Sequence, residues 1–163
     1  MESDVRALGE PCADNDYLSN HVQMLTSSLL KLSGRSFAAA GATPCEIAQF
    51  VYEAPFVVLS HDTQIDPIFN YGNRAAQRLF EMSWSELTSL PSRYSAASVD
   101  RTERERLLAR VGAHGYIDDY SGIRISRSGR RFMVRNAAVW NICDASGAYR
   151  GQAAMFSDWT MIE

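Results

Sequence analysis

The stretch from Ala54 to Trp84 constrains the fold most tightly. It opens with the apolar run Phe56-Val57-Val58-Leu59, which has the length and β-branched content of a buried strand. The polar segment Ser60 to Asp66 forces a reversal that ends at Asp66-Pro67. Ile68 to Tyr71 then forms a second strand beside the first. Asn73 stands where a helix N-cap belongs, its side-chain oxygen placed to accept an orphan backbone N–H. The helix behind it carries Ala76, Leu79 and Phe80 on one stripe. This unit cannot bury its apolar face alone, and the β-rich C-terminal third supplies the partner surface.

Upstream, Leu18, Val22, Leu25, Leu29 and Leu32 recur at helical spacing, and Gly34 offers a C-terminal stop. This amphipathic helix can close the core, cover the outer face of a sheet, or pair with a second subunit. The last option makes Leu18, Val22, Leu25 and Leu29 an interface stripe. Thr43-Pro44-Cys45-Glu46 starts a short helix with a capping box and proline in the first turn. Ser83 with Glu86, and Asp100 with Glu103, make two further capping boxes around the linker Leu90 to Ser95. The last of these helices turns Leu107, Leu108 and Val111 inward and ends at Gly112 and Gly115. Three strands in meander follow: Tyr116 to Ser126, Arg131 to Ile142 and Tyr149 to Trp159. Five antiparallel strands with helices gathered on one face make an α+β arrangement.

At 163 residues the chain suits one domain. Residues 1–16 read as a flexible lead and 17–163 as the domain. A net charge of −3 and the acidic breaks at Glu103 and Glu105 in the arginine-rich segment argue against nucleic acid. No apolar run is long enough to span a membrane, and the acidic N-terminus lacks a signal-peptide pattern. The expectation is a soluble, cytoplasmic protein. Cys12, Cys45 and Cys143 are too scattered for a disulfide framework or zinc site, and His21, His61 and His114 form no metal-binding pair. Catalysis is not expected. Ser60 and His61, adjacent on a strand, point to opposite faces, as do Asp118 and Asp119, and no phosphate-binding glycine loop is present.

Several motifs stand in register: Ala54-Pro55-Phe56 with Ser60-His61, Asp66-Pro67-Ile68-Phe69-Asn70-Tyr71, Asn73-Arg74-Ala75-Ala76 and Leu90-Pro91-Ser92-Arg93. Further on come Gly115-Tyr116-Ile117, Tyr120 to Ser126, Gly129-Arg130-Arg131-Phe132, Val139-Trp140-Asn141 and Gly151-Gln152-Ala153-Ala154. On these residues the chain resembles the MEKHLA domain family. This PAS-like group comprises stand-alone bacterial and algal proteins and the C-terminus of plant class III homeodomain–leucine zipper transcription factors. The resemblance implies a PAS fold and a sensory or interaction role, and it supplies no ligand. The cysteine of light-sensing flavin domains of the LOV type is missing, since none lies between Cys45 and Cys143. Haem is not expected, because His114 at a helix end suits the last carbonyls better than an axial role.

Strand alternation puts Phe132, Val134, Asn136, Ala138 and Trp140 on one face, opposite Met133, Arg135, Ala137 and Val139. Both faces are apolar, so both are expected to be covered. Asn136, Gln152, Arg124 and Arg135, with Tyr120, are the candidate polar contacts for a small molecule. Arg93, beside Tyr94, can clamp a carboxylate or pair with Asp118 or Asp119. The partners expected are a small-molecule ligand and a second protein chain, a copy of this one or another; nucleic acid and membrane are not.

Overall fold

The computed structural model describes residues 4–37, 41–96 and 101–162. The chain runs α1 (Ser19–Ser33), α2 (Pro44–Glu53), β1 (Val57–His61), β2 (Phe69–Gly72), α3 (Arg74–Phe80) and α4 (Trp84–Leu87). A single turn at Ser92–Ser95 leads to α5 (Arg101–His114), β3 (Tyr116–Ile125), β4 (Arg131–Cys143), β5 (Tyr149–Phe156) and β6 (Asp158–Ile162). The strands form one antiparallel sheet in the order β2-β1-β5-β4-β3, with β6 also paired to β4. The expected last strand breaks at Ser157, so there are six strands rather than five. β4 is long enough to pair Ala138–Cys143 with β5 and Arg131–Arg135 with β6.

The local signals fold as the side chains dictate. Thr43 accepts the Glu46 amide at 3.2 Å while Glu46 accepts the Thr43 amide at 3.1 Å. Ser83 and Glu86 do the same at α4, whereas Asp100 of the third capping box lies outside the described residues. Asn73 does more than cap α3. Its Oδ1 accepts from Ala76 and Val58, and its Nδ2 donates to Val51 and Phe56 carbonyls. This buried amide therefore ties α2, β1 and α3 together. The α5 helix passes through Gly112 and stops at Gly115, whose positive φ of 79° suits glycine.

Helices cover both sheet faces, α3, α4 and α5 the inner one and the N-terminal helix α1 the outer one. The α1 stripe of Leu18, Val22, Leu25 and Leu29 is at most 2% exposed within the single chain, packed on Ala138, Trp140 and Ile142. It covers the outer face of the sheet and is not open to a second subunit. Trp140 is fully buried there and donates its indole N–H to the Leu25 carbonyl at 3.1 Å. On the inner face Val57, Leu59, Phe132, Val134 and Ala137 pack with Phe80 of α3 and Leu87 of α4.

Residues 4–18 are not a loose lead. The Arg6 guanidinium donates to the carbonyls of Phe69 (3.1 Å), Thr88 (3.0 Å) and Ile68 (2.9 Å) and pairs with Asp62 at 2.7 Å. Asn15 bridges the Cys12 amide to the carbonyls of Leu8 and Glu10. The segment then enters α1 through three consecutive left-handed residues, Asp16, Tyr17 and Leu18. Such a backbone costs roughly 1–2 kcal/mol per residue and persists only where surrounding contacts hold it.

Candidate functional site

Between the inner face of the sheet and the helices opposite lies a cavity of ≈ 70 Å³. Its apolar wall includes Leu59, Phe69, Phe80, Leu107, Val139 and Phe156, and its polar groups are His61, Ser92, Ser95, Tyr120, Arg124 and Gln152. Leu59 and His61 alternate along β1, so both side chains reach the same face. Ser60, between them, turns outward to hydrogen-bond His21 of α1 at 2.9 Å and Asn70 at 2.6 Å. His21 is buried in that position. Burial first, then the Arg6 charge, lowers its pKa from 6.5 to about 4, so the ring is neutral at pH 7.

Gln152 stands opposite both His61 of β1 and Asn141 of β4. It is 6% exposed, and its Nε2 donates to Asn141 Oδ1 at 3.0 Å. Asn141 in turn donates to the Val111 carbonyl in the last turn of α5 at 3.3 Å. The amide pair thus links the floor of the cavity to the helix that roofs it. The remaining oxygen, Gln152 Oε1, is buried with no hydrogen-bond partner among the described residues. An unpaired buried carbonyl costs about 1–3 kcal/mol, which a donor entering the cavity would recover. At the β3 side, Arg124 donates to Ser95 Oγ at 3.4 Å and lies over the Tyr120 ring.

Three sequence candidates, Tyr120, Arg124 and Gln152, therefore meet at one cavity. Arg93, Tyr94 and Asn136 do not. Arg93 pairs with Asp66 at 3.0 Å instead of Asp118 or Asp119, and stacks on the exposed Tyr94. Asp119 is held by Arg110. Asn136 adopts φ 55° at a bulge, where Tyr120 pairs with Ala137 but Gly122 with Val134. The extra residue flips the alternation, sending Ala137 and Val139 inward and Ala138 and Trp140 outward. Asn136 thus borders an outer groove of ≈ 360 Å³ with Phe37, Phe50, Phe56 and Met155. Larger as it is, this groove carries its polar groups, Asn136 and Arg35 among them, in the open, whereas the inner cavity hides one with no hydrogen-bond partner among the described residues. Arg135 is exposed and bonds Thr160. Sequence reasoning missed His61, Ser92, Ser95 and Asn141; alternation with Leu59 was the available signal for His61. His114 is exposed at the end of α5 and is absent from the cavity wall. Among the described residues no group of three His, Cys, Asp or Glu could hold a metal, and no helix is long and apolar enough to cross a membrane.

The family model of the MEKHLA domain matches residues 19–161. The chain belongs to the MEKHLA domain family. The match takes in α1 and all but the last residue of the sheet of this MEKHLA domain, and not the Arg6 segment. Curated proteins give no match. Solved structures place the fold among PAS domains. A PAS domain from Colwellia psychrerythraea superposes with a TM-score of 0.57 at 14% identity, over 68% of this chain and 92% of that one. An RNA-binding light-oxygen-voltage receptor gives 0.64 at 15% identity, over 77% of this chain. The MEKHLA domain spans only 36% of that receptor's length. The light-state dimer of the fungal blue-light photoreceptor Vivid gives 0.56 at 13% identity, over 83% and 93%. At these identities the likeness is one of fold.

Proposed function

We propose that this MEKHLA domain is a sensor that binds a small molecule between the inner face of its sheet and α3, the Ser92–Ser95 turn and α5. The carrying observation is Gln152 Oε1, a buried acceptor with no hydrogen-bond partner among the described residues, on the wall of an otherwise largely apolar cavity. A few placed polar groups in an apolar concavity are what small-ligand recognition requires. The role is binding rather than catalysis. Occupancy acts through differential affinity for two arrangements of the roof. A donor on Gln152 is felt through Asn141 at Val111 of α5, and the Phe69 wall is held from behind by Arg6. The signal then leaves by contact with another protein.

At ≈ 70 Å³ the cavity is below the usual 300–1,000 Å³ of ligand pockets, so α5 must move outward to admit a ligand of ordinary size. The same small volume favours a competing reading, a filled core that serves only as an interaction module. Native mass spectrometry and an absorbance spectrum of freshly purified protein separate them. A retained small-molecule mass, lost in a folded Gln152→Leu variant, is the expected result. Apo mass throughout, with no small molecule shifting the amide signals of Gln152 or Asn141, sinks the sensor and leaves the module.

A further inference from the structure

The arginines of this chain are mostly matched by carboxylates: Arg6 with Asp62, Arg93 with Asp66, Arg110 with Asp119, Arg150 with Asp144. Arg35, Arg74 and Arg78 also have no carboxylate within 4 Å among the described residues, but they are exposed; Arg124 differs in its burial. It sits half-buried on β3 in the cavity wall and has no carboxylate within 4 Å among the described residues. Its contacts are the hydroxyl of Ser95, at a long 3.4 Å, and the face of Tyr120, 5.2 Å from the ring centroid. Neither neutralises a guanidinium, and most of its five N–H donors have no acceptor among the described residues. Ser95 itself is buried and donates to the Ser92 carbonyl at 2.7 Å, which leaves its oxygen facing Arg124 as an acceptor. Beyond this polar corner the wall is Phe69, Phe80, Leu107 and Phe156.

We propose that the cavity takes a small organic monocarboxylate with an apolar body, its carboxylate held by Arg124. A planar carboxylate matches the guanidinium fork in charge and geometry. A phosphate dianion fits worse, because one guanidinium leaves a second buried charge uncompensated. A neutral ligand leaves the half-buried cation as it is, unmatched. The proposal rests on the cavity being a ligand site, as argued above.

The test titrates benzoate, phenylacetate and 3-phenylpropanoate, each beside its carboxamide, into the full chain by ligand-observed NMR. At least one acid is expected to bind at least about tenfold tighter than its amide. Arg124→Gln is expected to bring that acid to the level of the amide, whose binding stays unchanged, and Arg124→Lys to restore part of the difference. Acids and amides binding wild type equally would overturn the charge recognition and leave the sensor reading standing. This comparison needs no variant and holds even if Arg124→Gln fails to fold. If none of the six probes binds, native mass spectrometry decides. A retained carboxylic acid supports the proposal, a retained neutral molecule overturns it alone, and apo mass overturns it together with the sensor reading.

Discussion

On the outer face of the sheet Trp140 is fully buried and its indole N–H reaches the Leu25 carbonyl; on the inner face Gln152 is buried too, yet its side-chain oxygen has no hydrogen-bond partner among the described residues. Over Val58, Ala138, Trp140 and Ile142 the outer face is closed by α1 and α2 with aliphatic side chains at close to zero exposure, and its groove beside Asn136 is open and carries exposed polar groups. The inner face leaves a cavity and a guanidinium, that of Arg124, with no carboxylate within 4 Å among the described residues. Two faces of one sheet thus divide the work. One supplies most of the close-packed burial, and the other forgoes some packing and hydrogen bonding, as the proposed ligand site requires. Tyr71 is the outer-face exception: its hydroxyl is buried without a hydrogen bond among the described residues, and burial pushes its pKa up.

The largest effect is expected at Trp140. Replacing it by alanine opens a cavity under α1 and removes the indole bond to the Leu25 carbonyl, costing about 3–5 kcal/mol in urea unfolding. A loss below about 1 kcal/mol would break the division between the faces. Next comes pH, through His21 on the outer face. Its folded-state pKa of about 4 lies below the unfolded 6.5. Between those values the unfolded chain takes up the proton first, so this contribution is complete above about pH 6.5 and is lost as pH falls toward 4. The full span is about 3 kcal/mol, and a His21→Asn variant should flatten unfolding midpoints measured from pH 7 to 5. The smallest effect compares two alanines. Ala48→Leu overpacks the close-packed side and should cost about 1–3 kcal/mol, while Ala137→Leu grows into the cavity and should cost less than about 1 kcal/mol. Equal losses in melting experiments would mean the inner face has no room to spare.

The capping boxes at Thr43 and Ser83, the Asn73 cap and the order of helices and strands along the chain were legible because each rests on residues a few positions apart, or on a pattern of alternation. Gln152, Arg124 and Tyr120 were legible as polar residues on apolar strands. The face assignment of β4 failed beyond Asn136, since one residue in the left-handed region inverts every later side chain and asparagine signals it only weakly. Arg93 was assigned the wrong acid because Asp66, Asp118 and Asp119 are all within reach of an arginine on paper, and only chain geometry selects among them. The N-terminal segment looked loose because Arg6 is tied down by carbonyls 62, 63 and 82 positions away, which carry no side-chain signature.

By itself the sequence determined the secondary elements, the family and the presence of an amphipathic first helix, because propensity, capping and periodicity act within a few residues. Only the tertiary structure decided that this helix belongs to the core, that β4 switches faces at Asn136, and that Arg124 and Gln152 open onto one cavity. Those outcomes depend on long-range packing and on a single backbone dihedral, and neither leaves a local trace in the amino-acid order.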